Sequence, residues 1–312
     1  MGARSILITG AAGFVGRHLL PALARLCPGA VLHEARFDVT DAQAVSAAIR
    51  TLLPEACIHL AAVSAIPAAR QRPDHAWQVN LHGTLNLAQA ILAHAPECKF
   101  VFASSADAYG LSFREERPLD ESAPLAPINT YGATKAAADL ALGALAKEGL
   151  RVIRLRPFNH TGPGQSAEFV VSAFARQVAR IAAGQQPPVL RVGALDPQRD
   201  FLDVRDVCAA YAACLAREWP PGTILNIASG QPRRIGDVLA DLLAASGVTA
   251  AVETDAALLR PSDIPVALGD AGQARSLLGW QPRIPWEQTL DDLLNDWRSR
   301  LVGIDDIGKP AS

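Results

Sequence analysis

A doubly wound α/β fold, in which helices cover both faces of a parallel β-sheet, is predicted for this 312-residue chain. Short apolar runs typical of buried parallel strands alternate with longer helical patterns. A glycine-rich turn joins the first run to the first helical pattern, and the alternation changes character after residue 157. The length fits one such unit with a smaller α/β substrate-binding lobe in its C-terminal part.

Six strands are expected. In chain order, the first two cover residues 5–9 and 30–34, the third ends at residue 38, and the others cover residues 57–60, 99–103 and 151–156. Helices are expected over about 77–93, 131–147 and 169–183. A loop should cover 157–165, a strand 189–193, and short helices and loops the rest up to about residue 297. We therefore expect a cofactor domain of residues 1–162 with about 199–226, a substrate domain of 163–198 and 227–302, and a flexible tail over 303–312.

Composition and charge exclude several classes of protein. Hydrophobic residues make up 50% of the chain and the net charge is −2, so neither a disordered chain nor a nucleic-acid partner is expected. The five cysteines are odd in number and lack metal-ligand spacing, which favours free thiols in the cytoplasm and no metal site. No uncharged apolar run reaches 18 residues, so no membrane partner is expected.

Three glycines, Gly10, Gly13 and Gly16, follow the first predicted strand and open a helix. In such a turn the first glycine permits a tight bend, the second lets the main chain approach a pyrophosphate, and the third lets the helix pack closely against the strand. The helix N-terminus then offers N–H groups to phosphate oxygens. The pattern predicts a Rossmann-type dinucleotide site.

Residues near the second strand bear on which dinucleotide binds. Glu34 suits a free ribose 2′-hydroxyl, whereas Arg36 suits a 2′-phosphate. Arg36 therefore favours NADP(H), with NAD(H) still possible. Asp38 is placed at a strand end where it would contact adenine; alternatively it caps a helix, as Asp41 does.

Tyr131 and Lys135 are the strongest catalytic signal. Four residues apart on a helix, they share one face at about 5–6 Å between Cβ atoms. A lysine cation stabilises a tyrosinate, so we expect the pKa of Tyr131 to fall from ~10 towards neutrality and the phenol to serve as acid or base. Chance predicts only about 0.04 such pairs from 3 tyrosines and 4 lysines in 312 residues.

Ser104 and Ser105 directly follow the fifth predicted strand, at the sheet edge where ligands bind in such folds. Ser105 is preferred for a hydrogen bond to a substrate carbonyl, because it lies in the SADAYG context with Ala106 and Asp107. Tyr109 of the same stretch either packs on the substrate or closes the loop.

The segments TGAAGFVG, HLAA, SSADAYG, YGATK and RPFNHTGPGQ, in this order and spacing, resemble the extended short-chain dehydrogenase/reductases that act on nucleotide sugars. The resemblance spans about residues 4–300. It implies a cytoplasmic homodimer, a nucleotide-sugar substrate and a catalytic triad of Ser105, Tyr131 and Lys135. It also implies cofactor contacts from a wider set of residues: Gly10, Gly13, Phe14, Val15, Gly16, Arg36, Asp38, Val39, Leu60, Ala61, Ala62, Tyr131, Lys135, Pro157 and Asn159.

The same resemblance implies a substrate-binding set: Ser105, Ala106, Asp107, Tyr131, Asn159, Arg199 and Arg260. Arg199 and Arg260 match the family's two arginines near the diphosphate, which a guanidinium binds well. Surface salt bridges to Asp200 or Asp263 are the alternative. Asn80 matches a helix position whose role in the family is partly structural.

Asp107 bears on the reaction. Many dehydratases of this family place a glutamate two residues after the serine, and Asp107 is one methylene shorter, which favours a simple ketone reduction. The finer resemblance is to the GDP-4-dehydro-6-deoxy-D-mannose reductases, which form GDP-D-rhamnose. A talose-forming 4-reductase, a 4,6-dehydratase or 4-epimerase, and a non-catalytic dinucleotide sensor remain open.

Overall fold

The computed structural model describes residues 5–259 and 264–305. Its strands are β1 (Ser5–Thr9), β2 (Val31–Glu34), β3 (Ala56–His59), β4 (Lys99–Ala103), β5 (Val152–Pro157), β6 (Asn159–Thr161), β7 (Val189–Val192), β8 (Gln198–Asp203), β9 (Thr223–Ile227), β10 (Pro232–Arg234), β11 (Ala251–Thr254) and β12 (Val266–Ala267). Its α-helices are α1 (Phe14–Leu26), α2 (Ala42–Leu52), α3 (Ile66–Gln71), α4 (Pro73–Trp77), α5 (Thr84–His94), α6 (Thr130–Lys147), α7 (Val170–Ala182), α8 (Val204–Ala216), α9 (Ile235–Ser246), α10 (Gly272–Leu278) and α11 (Trp286–Asp305).

Six parallel strands form the main sheet in the order β2-β1-β3-β4-β5-β9. The chain leaves β1 for β2 on one side and returns to β3 on the other, so the strand order reverses at β1. In open α/β sheets, ligands bind at the carboxyl ends of the strands beside such a reversal. The predicted doubly wound fold is confirmed, and its expected ligand crevice lies where β1 and β3 end.

Successive side chains of β1 supply the cores on the two faces of this sheet. Ile6 and Ile8 join the cluster that contains α1 and α8, whereas Leu7 between them joins the cluster that contains α2, α5 and α6. This division follows from the two-residue side-chain period of a strand. Helices therefore cover both faces.

The C-terminal lobe has a core of its own, built from α7, α9 and α11. Strand β8 pairs with β10, with β12 and, at its far end, with β6, while β7 pairs with β11. The stated domain boundaries remain a prediction. No helix within the described residues has the length and apolar character needed to cross a membrane.

Several element predictions were wrong. No strand is described between β2 and α2; Asp38 instead accepts hydrogen bonds from the N–H and the hydroxyl of Thr40 in a tight turn. The predicted loop over 157–165 contains β6, because residues 159–161 pair with β8. The 77–93 helix is interrupted by a π-helical segment, Gln78–Gly83.

The C-terminal prediction also needs correction. Instead of short helices only, the chain forms α11, a 20-residue helix that extends to Asp305. The expected tail over 303–312 therefore starts too early, and residues 306–312 lie outside the described part of the chain. Arg260 and Asp263 also lie outside it.

Candidate active site

Each of the three glycines meets a different steric constraint at the carboxyl end of β1. Gly10 has φ +71°, and a Cβ there would lie 2.7 Å from the amide nitrogen of Ala61. A Cβ at Gly16 would lie 2.3 Å from the carbonyl oxygen of Ala11. The third glycine thus permits close packing of α1 on the turn itself, rather than on the strand as predicted.

This turn fits a dinucleotide pyrophosphate. Gly13 caps the N-terminus of α1 without any side-chain capping bond, so the first N–H groups of the helix face the turn. Phe14 and Val15 follow, and the Phe14 ring stacks on His160 at 6.3 Å between centroids. Leu60, Ala61 and Ala62, which follow β3, are partly buried, and the main chain of Leu60 and Ala61 packs directly against Gly10.

The predicted adenosine-binding residues lie at the end of β2 and beyond. Glu34 is the last residue of β2, and it, Arg36 and Asp38 are exposed. The hydrogen bonds from Thr40 lower the pKa of Asp38. Val39 is only 6% exposed and its side chain packs in the core, so it can offer a cofactor only its main chain.

The two serines after β4 face different partners. Ser104 donates a 2.7 Å hydrogen bond to the Oδ2 atom of the buried Asp139. Ser105 accepts a 3.1 Å hydrogen bond from the backbone N–H of Asp107, which begins a 3₁₀ turn over Ala106–Ala108. Ser105 is therefore the serine that remains for the site, as preferred from the sequence.

Tyr131, Ser105 and Asp107 come together. Burial raises the pKa of Tyr131, the negative charge of Asp107 raises it further, and a side-chain hydrogen bond with Ser105 acts in the opposite direction. The predicted lowering of this pKa by Lys135 is wrong for this structure. Helical spacing correctly places the two residues on one face, but burial and the nearby carboxylate determine the direction of the shift.

Lys135 is itself affected by burial. It is 4% exposed, and its Nζ atom lies 4.5 Å from the centroid of the Phe102 ring. Burial lowers its pKa to about 7, while the charge of Asp139 acts to raise it. Burial thus favours the neutral form of the lysine, which works against the predicted stabilisation of a Tyr131 anion.

Asp107 interacts with both Ser105 and Arg199. Burial raises the pKa of the Asp107 carboxyl, whereas hydrogen bonds with Ser105 and Asn129 and the charge of Arg199 lower it. Arg199 thus faces Asp107 and not Asp200, whose carboxylate accepts bonds from backbone N–H groups elsewhere. We call the site formed by Ser105, Asp107, Tyr131 and Arg199 the cleft.

Sequence reasoning missed a buried ionic cluster below the cleft. Asp139, fully buried on α6, accepts hydrogen bonds from Arg154 and Arg156 of β5. Arg156 also donates to the hydroxyl of the fully buried Tyr109, which closes its loop and does not reach a substrate. Two arginines in a strand that is buried along its whole length were the signal that could have revealed the cluster.

Asn80 has a structural role here. Its side-chain oxygen accepts a bond from the N–H of Val63 at 2.8 Å, and its side-chain nitrogen donates to Thr134 at 2.9 Å. It therefore ties the segment after β3 to α6, next to Lys135. Pro157 is buried at the end of β5, and Asn159 is exposed on β6.

Comparison with known proteins identifies the relatives of this chain. Residues 26–293 match the family model described as GDP-mannose 4,6 dehydratase. The GDP-6-deoxy-D-mannose reductase of Pseudomonas aeruginosa is 38% identical to the chain over 299 residues, which are 95% of this chain and 98% of that protein.

Solved structures of nucleotide-sugar enzymes are also similar to this chain. The RMD structure from Pseudomonas aeruginosa complexed with NADPH has a TM-score of 0.88 at 36% identity, covering 95% of this chain and 99% of that one. The Thermus thermophilus UDP-glucose 4-epimerase in complex with NAD has a TM-score of 0.82 at 27% identity, covering 94% and 99%. The chain therefore belongs to the GDP-mannose 4,6-dehydratase family of nucleotide-sugar short-chain dehydrogenases/reductases.

Proposed function

We propose that the chain reduces the C4 ketone of a nucleotide-linked 4-keto-6-deoxyhexose with NAD(P)H, and that it converts GDP-4-dehydro-6-deoxy-D-mannose to GDP-D-rhamnose. The observation that carries the proposal is the meeting of Ser105 and Tyr131 at the carboxyl end of β4, with Asp107 and Arg199 beside them. The similarity to the Pseudomonas GDP-6-deoxy-D-mannose reductase supports the choice of substrate.

The cofactor residues fit a nicotinamide dinucleotide, which when bound supplies the hydride for the carbonyl carbon. Tyr131 retains its proton at neutral pH because its pKa is raised, so it starts the reaction as the acid. It donates this proton to the oxygen that becomes the C4 hydroxyl. Ser105 donates a hydrogen bond to the same oxygen and stabilises its developing negative charge.

The surroundings of Asp107 favour reduction over dehydration or epimerisation. A base that removes a proton from a sugar carbon needs a carboxylate free to reach it. The Asp107 side chain is engaged by Ser105 and Asn129 and faces Arg199. It is therefore better placed to hold site residues than to act on carbon.

We assign NADP(H) as the preferred cofactor, with NAD(H) as the weaker one. Arg36 is exposed just beyond β2, where a 2′-phosphate of bound cofactor would lie in this fold. The competing residue, Glu34, is exposed at the end of the same strand. The Pseudomonas structure with NADPH supports this assignment.

We also assign a cytoplasmic homodimer. All five cysteines are free thiols, which fits a reducing compartment. Leu140 on α6 is 62% exposed, an apolar side chain on the helix expected to pack against a second copy. Light scattering of the purified protein should give twice the mass of the 32.9 kDa chain.

Turnover tests the function directly. NADPH oxidation is followed with GDP-, dTDP- and UDP-linked 4-keto-6-deoxyhexoses, and NMR identifies the product. Stoichiometric oxidation with the GDP sugar and a rhamno product is expected. A talo product would instead identify the chain as a talose-forming 4-reductase. Tightly held NAD with no net oxidation would make it a dehydratase or epimerase, and failure to bind either dinucleotide would overturn the assignment.

A further inference from the structure

We propose that Arg233 is a phosphate-binding arginine of the cleft beyond those that the sequence pattern identifies, and that, together with Arg199, it makes the site selective for a nucleoside diphosphate over a monophosphate. The inference deepens the proposed function and rests on it. Nothing in the sequence pattern singles out Arg233, and its role follows from the strand pairing of the lobe.

The pairing places the two arginines side by side. Strand β10 runs antiparallel to β8, with Arg233 directly opposite Arg199. Directly opposed residues of an antiparallel pair project from the same face of the sheet, with Cβ atoms about 4.5–5.5 Å apart. The face that carries Arg199 to the cleft therefore carries Arg233 as well.

A stacked aromatic pair holds the Arg233 side chain. Its guanidinium carbon lies 4.8 Å from the centroid of the Trp286 ring, and Trp286 stacks on Phe201 of β8 at 5.6 Å. Phe201 comes two residues after Arg199, so it lies on the same face of the strand. The guanidinium thus lies over an indole ring and forms no ion pair with the described residues.

Within the described residues, the side chain of Arg233 forms no hydrogen bond or ion pair, and its Nε atom is buried without a partner. The Nε1 atom of Trp286, a residue only 6% exposed, is also buried without a hydrogen-bond partner. Unpaired buried donors are uncommon and cost free energy. Both donors belong to side chains that contact each other, so one acceptor supplied by a ligand could satisfy them together.

The neighbouring arginine, Arg234, is paired with carboxylates of the protein itself and serves as a comparison. Arg234 projects from the opposite face and is neutralised by Asp196 at 2.6 Å and Asp237 at 3.6 Å. No such counter-ion lies beside Arg233 in the part of the chain that the structure describes, although like charges directly opposite each other in a sheet are unfavourable. The cost is removed when an anion lies between the two guanidinium groups.

A diphosphate fits this pair best. Its two phosphate groups carry adjacent negative charges, so each arginine can take one phosphate through short charge-assisted hydrogen bonds. A monophosphate can satisfy only one of them fully. We therefore expect Arg233 to contribute more to binding of a nucleoside diphosphate than of the matching monophosphate.

The test measures binding of GDP and GMP by calorimetry to the wild-type protein and to Arg233→Gln, Arg233→Lys and Arg234→Gln. Arg233→Gln should weaken GDP binding about 10–100-fold and GMP binding much less, so the ratio of the two affinities falls. Arg233→Lys should recover part of the loss, because it restores the charge. Arg234→Gln, the matched control, should bind both nucleotides as the wild type does.

Kinetics give a second readout. Arg233→Gln should raise KM for the keto sugar by a larger factor than it changes kcat or KM for NADPH, because a contact with the diphosphate is made equally in the ground state and the transition state. An unchanged GDP-to-GMP ratio in a wild type that binds GDP would overturn the role of Arg233 and leave the proposed function intact. An equal loss for both nucleotides in both Arg233 variants would also overturn it. A wild type that neither binds GDP nor reduces the GDP sugar would refute the proposed function itself.

Discussion

Arg156 donates hydrogen bonds to both carboxylate oxygens of Asp139, from Nη2 to Oδ1 at 2.9 Å and from Nε to Oδ2 at 3.0 Å. Arg154 donates to Oδ1 at 3.0 Å and Ser104 to Oδ2 at 2.7 Å. Asp139 lies one helical turn beyond Lys135 on α6. One carboxylate thus joins α6, the helix that carries Tyr131 and Lys135, to β5 and to the residue that follows β4.

Replacing Asp139 by alanine should destabilise the fold strongly. Removal of one partner leaves two buried guanidinium groups without their anion, which typically costs about 3–5 kcal/mol. The free energy of unfolding is measured by urea titration. Glu97→Ala is the control, because Glu97 is 89% exposed in its pair with Arg151 and such surface pairs contribute about 0–1 kcal/mol. Equal losses in the two variants would contradict a buried ionic cluster.

The contribution of Asp139 also has a defined pH window. Its bonds to the arginines and Ser104 lower its pKa in the folded state. The folded protein therefore binds fewer protons there than the unfolded chain, and the stabilisation is complete above the unfolded value of 3.8. It is lost as pH falls through the lower folded value. The part of the gap between wild type and Asp139→Ala that comes from this carboxylate should therefore narrow in acid, as pH falls through the folded value.

Tyr131→Phe should lower kcat by about 10²–10⁴-fold, the usual contribution of a general acid. Phenylalanine keeps the ring and removes only the proton donor, so NADPH binding, followed by fluorescence titration, should stay unchanged. Near-normal turnover in this variant would remove Tyr131 from the mechanism.

Lys135 should make stability rise with pH. Its folded-state pKa of about 7 lies below the unfolded value of 10.5, so the unfolded chain binds more protons between these two values. Relative to Lys135→Met, the wild-type free energy of unfolding should increase by about 2–3 kcal/mol between pH 7 and pH 9. Urea titrations at both pH values measure this difference. The charged groups beside Lys135 are Asp139 and His59, and the pKa of His59 is lowered to about 3, so His59 stays neutral throughout. A difference that does not vary with pH would contradict a buried lysine that loses its proton.

Features that depend on the pattern of residues along the chain were predicted correctly, whereas features that depend on which side chains are buried were not. Strands β1 and β4 were predicted to the residue because both are continuous apolar runs. The π-helical segment around Asn80 was missed because one extra residue per turn hardly changes an apolar pattern. The Tyr131 shift had the wrong sign because spacing identifies a neighbour and says nothing about burial. Asp139 was missed because a single carboxylate in an alanine-rich helix resembles a surface residue.

Arg36→Ala should shift cofactor preference towards NAD(H). Loss of the guanidinium removes a charge-assisted contact with a 2′-phosphate, which is worth roughly 1.5–3 kcal/mol, or about 10–100-fold in kcat/KM for NADPH. The value for NADH should change little. Arg50→Ala, at the end of α2, controls for loss of a surface charge. Parallel losses with both dinucleotides would show that Arg36 does not read the 2′ position.

Asp107→Asn should move the alkaline limit of activity to lower pH. The negative charge of Asp107 helps to raise the pKa of Tyr131, so its removal lets the phenol ionise earlier as pH rises. A tyrosinate cannot donate the proton that reduction requires, so kcat/KM should begin to fall at lower pH than in the wild type. The profile of kcat/KM against pH measures the shift, with Asp237→Asn, an exposed carboxylate on α9, as the control. If the alkaline fall in kcat/KM stays at the same pH, or moves to higher pH, the charge of Asp107 does not act on Tyr131 during turnover.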